Sequence, residues 1–248
     1  MFYNLIIAQY VHTGAYANGS SFFIWGIFIV FALFSWIIQK VLKSKFKKYS
    51  QVELPSGLTG KSIAEKMMHE NGIYDVEVKC ISGQLTDHYN PETKIVNLSE
   101  EVYSGNNIAA AAVAAHECGH VIQHAESYAF LTLRSKLVPA VSFASKWMQW
   151  ILLAGIIFMQ SFPQLLLIGI ILFAITTLFS FITLPVEINA SKRAVSWLNN
   201  AGITDNYTYP MATDALRWAA YTYVIAAIGS LATLIYYILI FLGGRNRN

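Results

Sequence analysis

The sequence predicts a multi-pass α-helical membrane protein with about four transmembrane helices and a cytoplasmic α+β domain, and two observations predict it. The first is apolarity in blocks. The chain has 248 residues, of which 55% are hydrophobic and only 12% charged, too apolar for an ordinary soluble domain of this length. No charge precedes Lys40, none lies between Lys146 and Glu187, and none between Arg217 and Arg245. The second is a polar remainder, over residues 43–146, that mixes helix-period and strand-period segments, as an α+β domain does.

Each charge-free gap holds membrane-length apolar sequence. The first span is predicted from Phe22 to Ile38. Lys40, Lys43, Lys45, Lys47 and Lys48 follow it and no Lys or Arg precedes it, so the N-terminus is expected outside and residues 43–146 in the cytoplasm. The opening residues carry no basic n-region, so no cleaved signal peptide is expected. In the cytoplasmic segment, Thr59 or a neighbour caps a helix that runs to about Asn71 and stops at Gly72. Asp75 to Ile81 alternates polar and apolar residues, as a half-buried strand does. Gln84 to Tyr89 and Lys94 to Leu98 read as two short strands joined by the turn Asn90-Pro91-Glu92-Thr93. A long helix is expected from about Asn107 to Arg134.

The middle gap fits two spans, about Trp147 to Phe162 and Leu165 to Leu184, and the last gap one, about Ala219 to Leu242. The chain thus divides into an outer segment with the first span (1–42), the cytoplasmic domain (43–146), a helical hairpin (147–184), a second cytoplasmic piece (185–217), and a last span with its tail (218–248). Fifteen of the seventeen Lys and Arg residues then lie inside, and Arg245 and Arg247 are the exceptions. Both cysteines, Cys80 and Cys118, fall on the cytoplasmic side, where reduced thiols are the natural state. The net charge of +3 needs only the membrane-flanking lysines to explain it, and nothing suggests nucleic-acid binding.

The long helix carries His116-Glu117-Cys118-Gly119-His120, an H-E-x-x-H motif behind the alanine-rich run Ile108 to Ala115. Residues four apart share a helix face, so His116 and His120 can point at one metal ion. Glu117, one step round, can serve as a base toward water at that site. Two imidazoles and a carboxylate base are what a zinc peptidase needs. Cys118 points away from the ligand face and reads as a packing residue.

Zinc needs a third protein ligand. His124 is eight residues beyond His116, about 12 Å along the axis, too far for one ion on a straight helix. It reads as a helix-surface residue or a partner of a ligand. A metzincin pattern would need a histidine where Glu126 stands. Glu187 is the better candidate, the lone acid of the apolar stretch from Trp147 to Ala190 and costly there unless paired or metal-bound. A developing oxyanion would also need a donor besides the metal, for which His124 and Arg193 are candidates, although Arg193 beside Lys192 equally suits an interfacial cation. The hairpin residues His88, Tyr89 and Asn90 read either as an edge strand that holds a peptide by main-chain pairing or as a plain structural hairpin.

The order of a membrane anchor, Gly83-Gln-Leu-Thr-Asp-His-Tyr-Asn-Pro91, Ala114-Ala-His-Glu-Cys-Gly-His-Val-Ile-Gln-His124 and Leu184-Pro-Val-Glu-Ile-Asn-Ala-Ser191 resembles the neutral zinc metallopeptidases of bacterial membranes (YugP-like), over nearly the whole chain. These are distant relatives of the HtpX-like gluzincins. The resemblance implies a zincin-like domain with one catalytic Zn²⁺ on His116, His120 and Glu187, and Glu117 as the base. HtpX-like enzymes carry an Asp four residues after the ligand Glu, where this chain has Ser191.

The expected activity is therefore endoproteolysis of membrane or emerging polypeptides at the cytoplasmic face of a bacterial membrane, with quality control expected by analogy alone. The alternative is a zinc-stabilised, non-catalytic scaffold or chaperone-like adaptor. An intramembrane peptidase is disfavoured by Gln123, His124 and Glu126 on the motif helix and by the lack of Asp in any span.

Overall fold

A computed structural model gives the fold and describes residue 26 and residues 29–245. The first helix, α1, is described from 29 to 49, so the span predicted from Phe22 lies partly outside the described residues. Then follow α2 (Gly60–Glu70), β1 (Glu77–Ile81), β2 (His88–Asn90), β3 (Ile95–Ser99), α3 (Glu100–Tyr103), α4 (Ile108–Ala125), α5 (Ala129–Ile157), α6 (Pro163–Asn200) and α7 (Tyr209–Arg245). Among the described residues, α5, α6 and α7 are long and apolar enough to cross a membrane.

The polar part is built on local signals. The Thr59 hydroxyl accepts from Ser62 N and starts α2, and Gly72 at φ 73° follows its end. The strands form one sheet in the order β1-β3-β2, with β1 parallel and β2 antiparallel to β3. Tyr89 faces Val96 across the hairpin, and β2 is left as an edge. Its Asn90 Oδ1 accepts from the amides of Glu92 and Thr93, which shapes the turn.

Helix α4 runs through the centre of this part. Asn107 caps it by accepting from Ala110 N at 2.9 Å. Its alanines let α2, α3, α6 and α7 approach closely, and Ile63, Met67, Leu98, Val121 and Leu198 fill the core around it. Gly119 marks the tightest approach. A Cβ there would stand 2.7 Å from Ala190 O, so α4 and α6 meet backbone to backbone.

The motif helix does not continue to Arg134. Ser127 adopts φ 54°, and Ser127 N and Tyr128 N donate to His124 O and Gln123 O. This pair of bonds ends α4 in the way a glycine usually permits, and α5 starts in a new direction. No glycine or proline announces the break.

Helices α5 and α6 form an antiparallel hairpin around a turn at 158–162, slightly before the predicted junction. Its register is set by small residues: Gly155 lies against Leu166, and Gly169 against Leu152. Helix α6 does not stop at the expected end of its span but carries on past Pro185 and Glu187 to Asn200. Helix α5 likewise contains Pro139. Helix α7 packs along α6 and is tied to α1 where Asp214 accepts from Tyr49 Oη (2.6 Å) and pairs with Lys45 (2.8 Å).

Candidate metal centre

The three residues that the sequence singled out converge. His116 and His120 point from α4 toward α6, where Glu187 is 3% exposed. Glu187 Oε2 stands 3.3 Å from His116 Nε2 and 3.6 Å from His120 Nε2. Ligand atoms on a tetrahedral zinc at about 2.0–2.1 Å lie roughly 3.3 Å apart, so this set fits one ion. Glu187 Oε2 is buried and makes no hydrogen bond, which leaves its lone pairs for a cation. Two imidazoles and one carboxylate are a donor set that zinc accepts.

Each imidazole is oriented from behind. Gln123, wholly buried, has Oε1 3.0 Å from His120 Nδ1, while its Nε2 donates to Val186 O and Asn189 Oδ1 on α6. Ser191 Oγ lies 3.1 Å from His116 Nδ1. With Nδ1 occupied in this way, each ring presents Nε2 to the metal side. Ser191 thus stands at the position that the resemblance gives to a carboxylate, and as a hydroxyl it supplies orientation without charge. Burial disfavours a charged His120, but the nearby Glu187 and Glu117 carboxylates and Gln123 outweigh it and raise its affinity for a proton. A metal ion binding there displaces that proton.

Glu117 sits beside the pair, 8% exposed, and its Oε2 accepts from Tyr89 N at 3.1 Å. The amide of edge strand β2 therefore points away from the sheet and into the site. Tyr89 also reaches along α4 with its side chain, placing Oη 2.8 Å from His124 Nδ1. One residue of β2 thus spans Glu117 and His124, two turns apart on one face of α4.

The site is a cavity of about 260 Å³ that Asp87, His88, Tyr89 and Pro91 border on one side and Arg134, Val138 and Tyr223 on others. Arg134 Nη1 lies 3.6 Å from Glu187 Oε1, and Tyr223 lines the same cavity. A second cavity of about 470 Å³ shares Pro91, Leu131 and Ser135 with it and takes in His124 and Lys136.

His124 borders that second cavity and not the first. Arg193 donates to Asn189 Oδ1 (2.8 Å) and to Glu126 Oε2 (2.6 Å), outside the cavity that holds His116, His120 and Glu187. His88 has Nδ1 2.8 Å from Thr86 O. Cys118 faces away from the ligands, wholly buried, with Sγ 3.5 Å from Ala64 O, and burial pushes its thiol well above the usual range. Sequence reasoning missed Gln123 as an orienting partner, and Arg134 and Tyr223 as cavity walls. Gln123 carried a signal, since an amide three residues past His120 in a buried helix must find partners. Arg134 and Tyr223 carried none.

Comparison with known proteins places the chain in a family. Residues 24–242 match the family described as "putative neutral zinc metallopeptidase". The chain is 45% identical over 207 residues to the "putative membrane protease YugP" of Bacillus subtilis (strain 168), covering 84% of this chain and 91% of that protein. No solved structure matches it. With the family match spanning most of its length, the chain belongs to the zinc metallopeptidase family of that description.

Proposed function

We propose that this chain is a membrane-embedded zinc metalloendopeptidase that cuts membrane or emerging polypeptides at the cytoplasmic face of a bacterial membrane. The observation that carries this reading is the convergence of His116, His120 and Glu187 with the Glu117 carboxylate in one cavity, beside an outward-facing edge-strand amide. A purely structural metal site is normally closed by four protein ligands. Three ligands with a carboxylate at hand favour catalysis over the scaffold reading.

Zinc, when bound, supplies a Lewis acid that polarises the peptide carbonyl and makes water acidic enough to attack. Glu117 takes the proton from the attacking water and returns it to the leaving amine. Gln123 and Ser191 hold the imidazoles in the tautomer that presents Nε2. Strand β2 aligns the substrate backbone through Tyr89 N, which must then exchange Glu117 for a substrate carbonyl. Arg134 and Tyr223 line the cavity as donors for a developing oxyanion, in place of His124 and Arg193, which are bonded elsewhere.

The test is proteolysis of a denatured-protein peptide pool, read by mass spectrometry, with wild type and Glu117→Gln at equal zinc content. Cuts made by wild type, lost with a chelator and reduced by roughly 10²–10⁴-fold in the variant are the expected result. Retained cutting by Glu117→Gln removes this mechanism. Zinc in both proteins with no cuts from either turns the reading to the scaffold.

A further inference from the structure

Two cavities lie side by side along α4. The first, of about 260 Å³, holds His116, Glu117, His120 and Glu187, and the second, of about 470 Å³, adjoins it. Pro91, Leu131 and Ser135 border both, so the sill between them is the start of the β2–β3 turn on one side and α5 on the other. The second cavity is no packing defect of the core, because His124, Ser127, Thr132 and Lys136 in its lining are exposed. Tyr89 bridges the pair, with its amide on Glu117 and its phenol on His124.

The free edge of β2 leads from the first cavity toward the second. Tyr89 N points at Glu117, and Pro91 and Glu92, which follow it in the chain, border the second cavity. A peptide paired on this edge is therefore aimed at the second cavity in one of its two directions. Main-chain pairing cannot follow it there. Alternate residues of a strand turn their amides to the same side, so the next one outward after Tyr89 would be that of Pro91, and proline has none to donate. Beyond Tyr89, recognition falls to side chains. Helix α4 sets the distance: Glu117 and His124 are two turns apart, about 11 Å, which three extended residues at roughly 3.3 Å each nearly cover.

The chemistry of the second cavity says what it would read. Apart from the shared Pro91 and Leu131, every residue that lines it is polar. Among the described residues, the hydroxyls of Ser127, Thr132 and Ser135 make no hydrogen bond to the protein, and neither Lys136 nor Glu92 has an ion-pair partner. His124 Nδ1 is engaged by Tyr89 Oη at 2.8 Å, which leaves Nε2. Lys136 comes from α5 and Glu92 from the turn, so a cation and an anion are offered from different walls. Exposed groups of this kind are hydrated in a free protein, and an apolar side chain that displaces their water leaves them unpaired. A polar side chain that both donates and accepts replaces it. We propose that the second cavity is a specificity pocket, which takes a polar, uncharged side chain such as glutamine at the third residue from the cut bond, on one side of it. This deepens the peptidase reading and rests on it.

The experiment uses the full-length protein and one peptide that the peptide-pool assay shows to be cut. Each position near the cut bond, on both sides, is changed in turn to Gln and to Leu, and kcat/KM is measured. The expected result is a preference for Gln over Leu of at least tenfold at the third residue on one side. The double variant Thr132→Val with Lys136→Met, which keeps side-chain size but removes two of the polar groups, should lower that preference at least fivefold and leave the preferences at the other positions and the zinc content unchanged. Shortening the peptide to two residues on that side should abolish the difference between wild type and variant. In the Glu117→Gln protein, a photoreactive side chain at the third residue should crosslink within 131–136. A flat response at the third residue on both sides, or a preference that the double variant keeps, overturns the pocket while leaving the peptidase reading in place. No cutting of any peptide by zinc-loaded wild type removes both.

Discussion

Around α4, fifteen of eighteen residues are buried and Gly119 touches the backbone of α6. Below Glu187, the long helices α5, α6 and α7 expose most of their side chains to where lipid would lie. The first region is held by close packing and a buried polar network. The second is held by small-residue contacts within the α5–α6 hairpin and by α7 packed along α6, where Leu234 and Tyr237 meet Leu152, Leu166 and Ile170. The candidate metal centre lies on the seam, taking its imidazoles from the packed region and its carboxylate from a helix long and apolar enough to cross a membrane. That division teaches where the centre is vulnerable. Its geometry depends on how α4 and α6 meet, and little on what covers the lipid-facing side.

The largest break is expected from Gly119→Ala. The added Cβ meets Ala190 O at 2.7 Å and Ala190 Cα at 3.0 Å, backbone that no side-chain rotation relieves. We expect about 1–3 kcal/mol of destabilisation together with weakened zinc binding, read by thermal unfolding with and without chelator. An unchanged melting temperature and zinc affinity would show that the two helices are not locked at this point.

Next in size is the contrast between the residues behind the imidazoles. Gln123→Ala leaves His120 Nδ1 and Val186 O without their partner inside a sealed region, whereas Ser191→Ala removes one bond to the less buried His116. Both should weaken zinc binding by about 10–100-fold, with Gln123→Ala at the upper end, as measured by competition with a chromogenic chelator. Equal losses, or a larger one at Ser191, would reverse the ranking of packed over peripheral support.

The smallest effect belongs to the rim of the seam. Arg193 donates a hydrogen bond to Glu126 and holds its carboxyl below the usual range. A depressed carboxyl contributes stability above its unfolded-state value and loses it as pH falls through the folded one. Because Glu126 is largely exposed, solvent screening limits the pair to less than about 1 kcal/mol. Comparing wild type with Glu126→Gln in urea at neutral pH and near pH 3 should show a small difference that vanishes in acid.

The unequal legibility of the site follows from the same physics. His116, Glu117 and His120 were readable because one helix turn brings them together, whatever the rest of the chain does. Glu187 was readable because a lone acid among apolar residues demands a partner. Arg134 and Tyr223 arrive from separate helices, and only the register of α5 and α7 on α6 brings them to the cavity. The end of α4 was misread because Ser127 takes a left-handed conformation that sequence assigns to glycine. The spans predicted at Trp147 to Phe162, Leu165 to Leu184 and Ala219 to Leu242 match only parts of α5, α6 and α7 for a related reason. Hydropathy marks where lipid contact ends, not where the helix does, so α6 runs on unannounced through Pro185 to Asn200.

Pro139 and Pro185 acquire a mechanical meaning from this arrangement. Each removes one rung from its helix's hydrogen-bond ladder, and in the antiparallel hairpin the two gaps fall about one turn apart, level with the floor of the cavity beside Glu187. Bending is cheapest where a ladder is interrupted. A load on the lower parts of α5 and α6 would tilt them about these two points, while the Gln123 and Ser191 contacts keep Glu187 registered against the histidines. The lower halves of these two helices can thus change direction without disturbing the three converging donors.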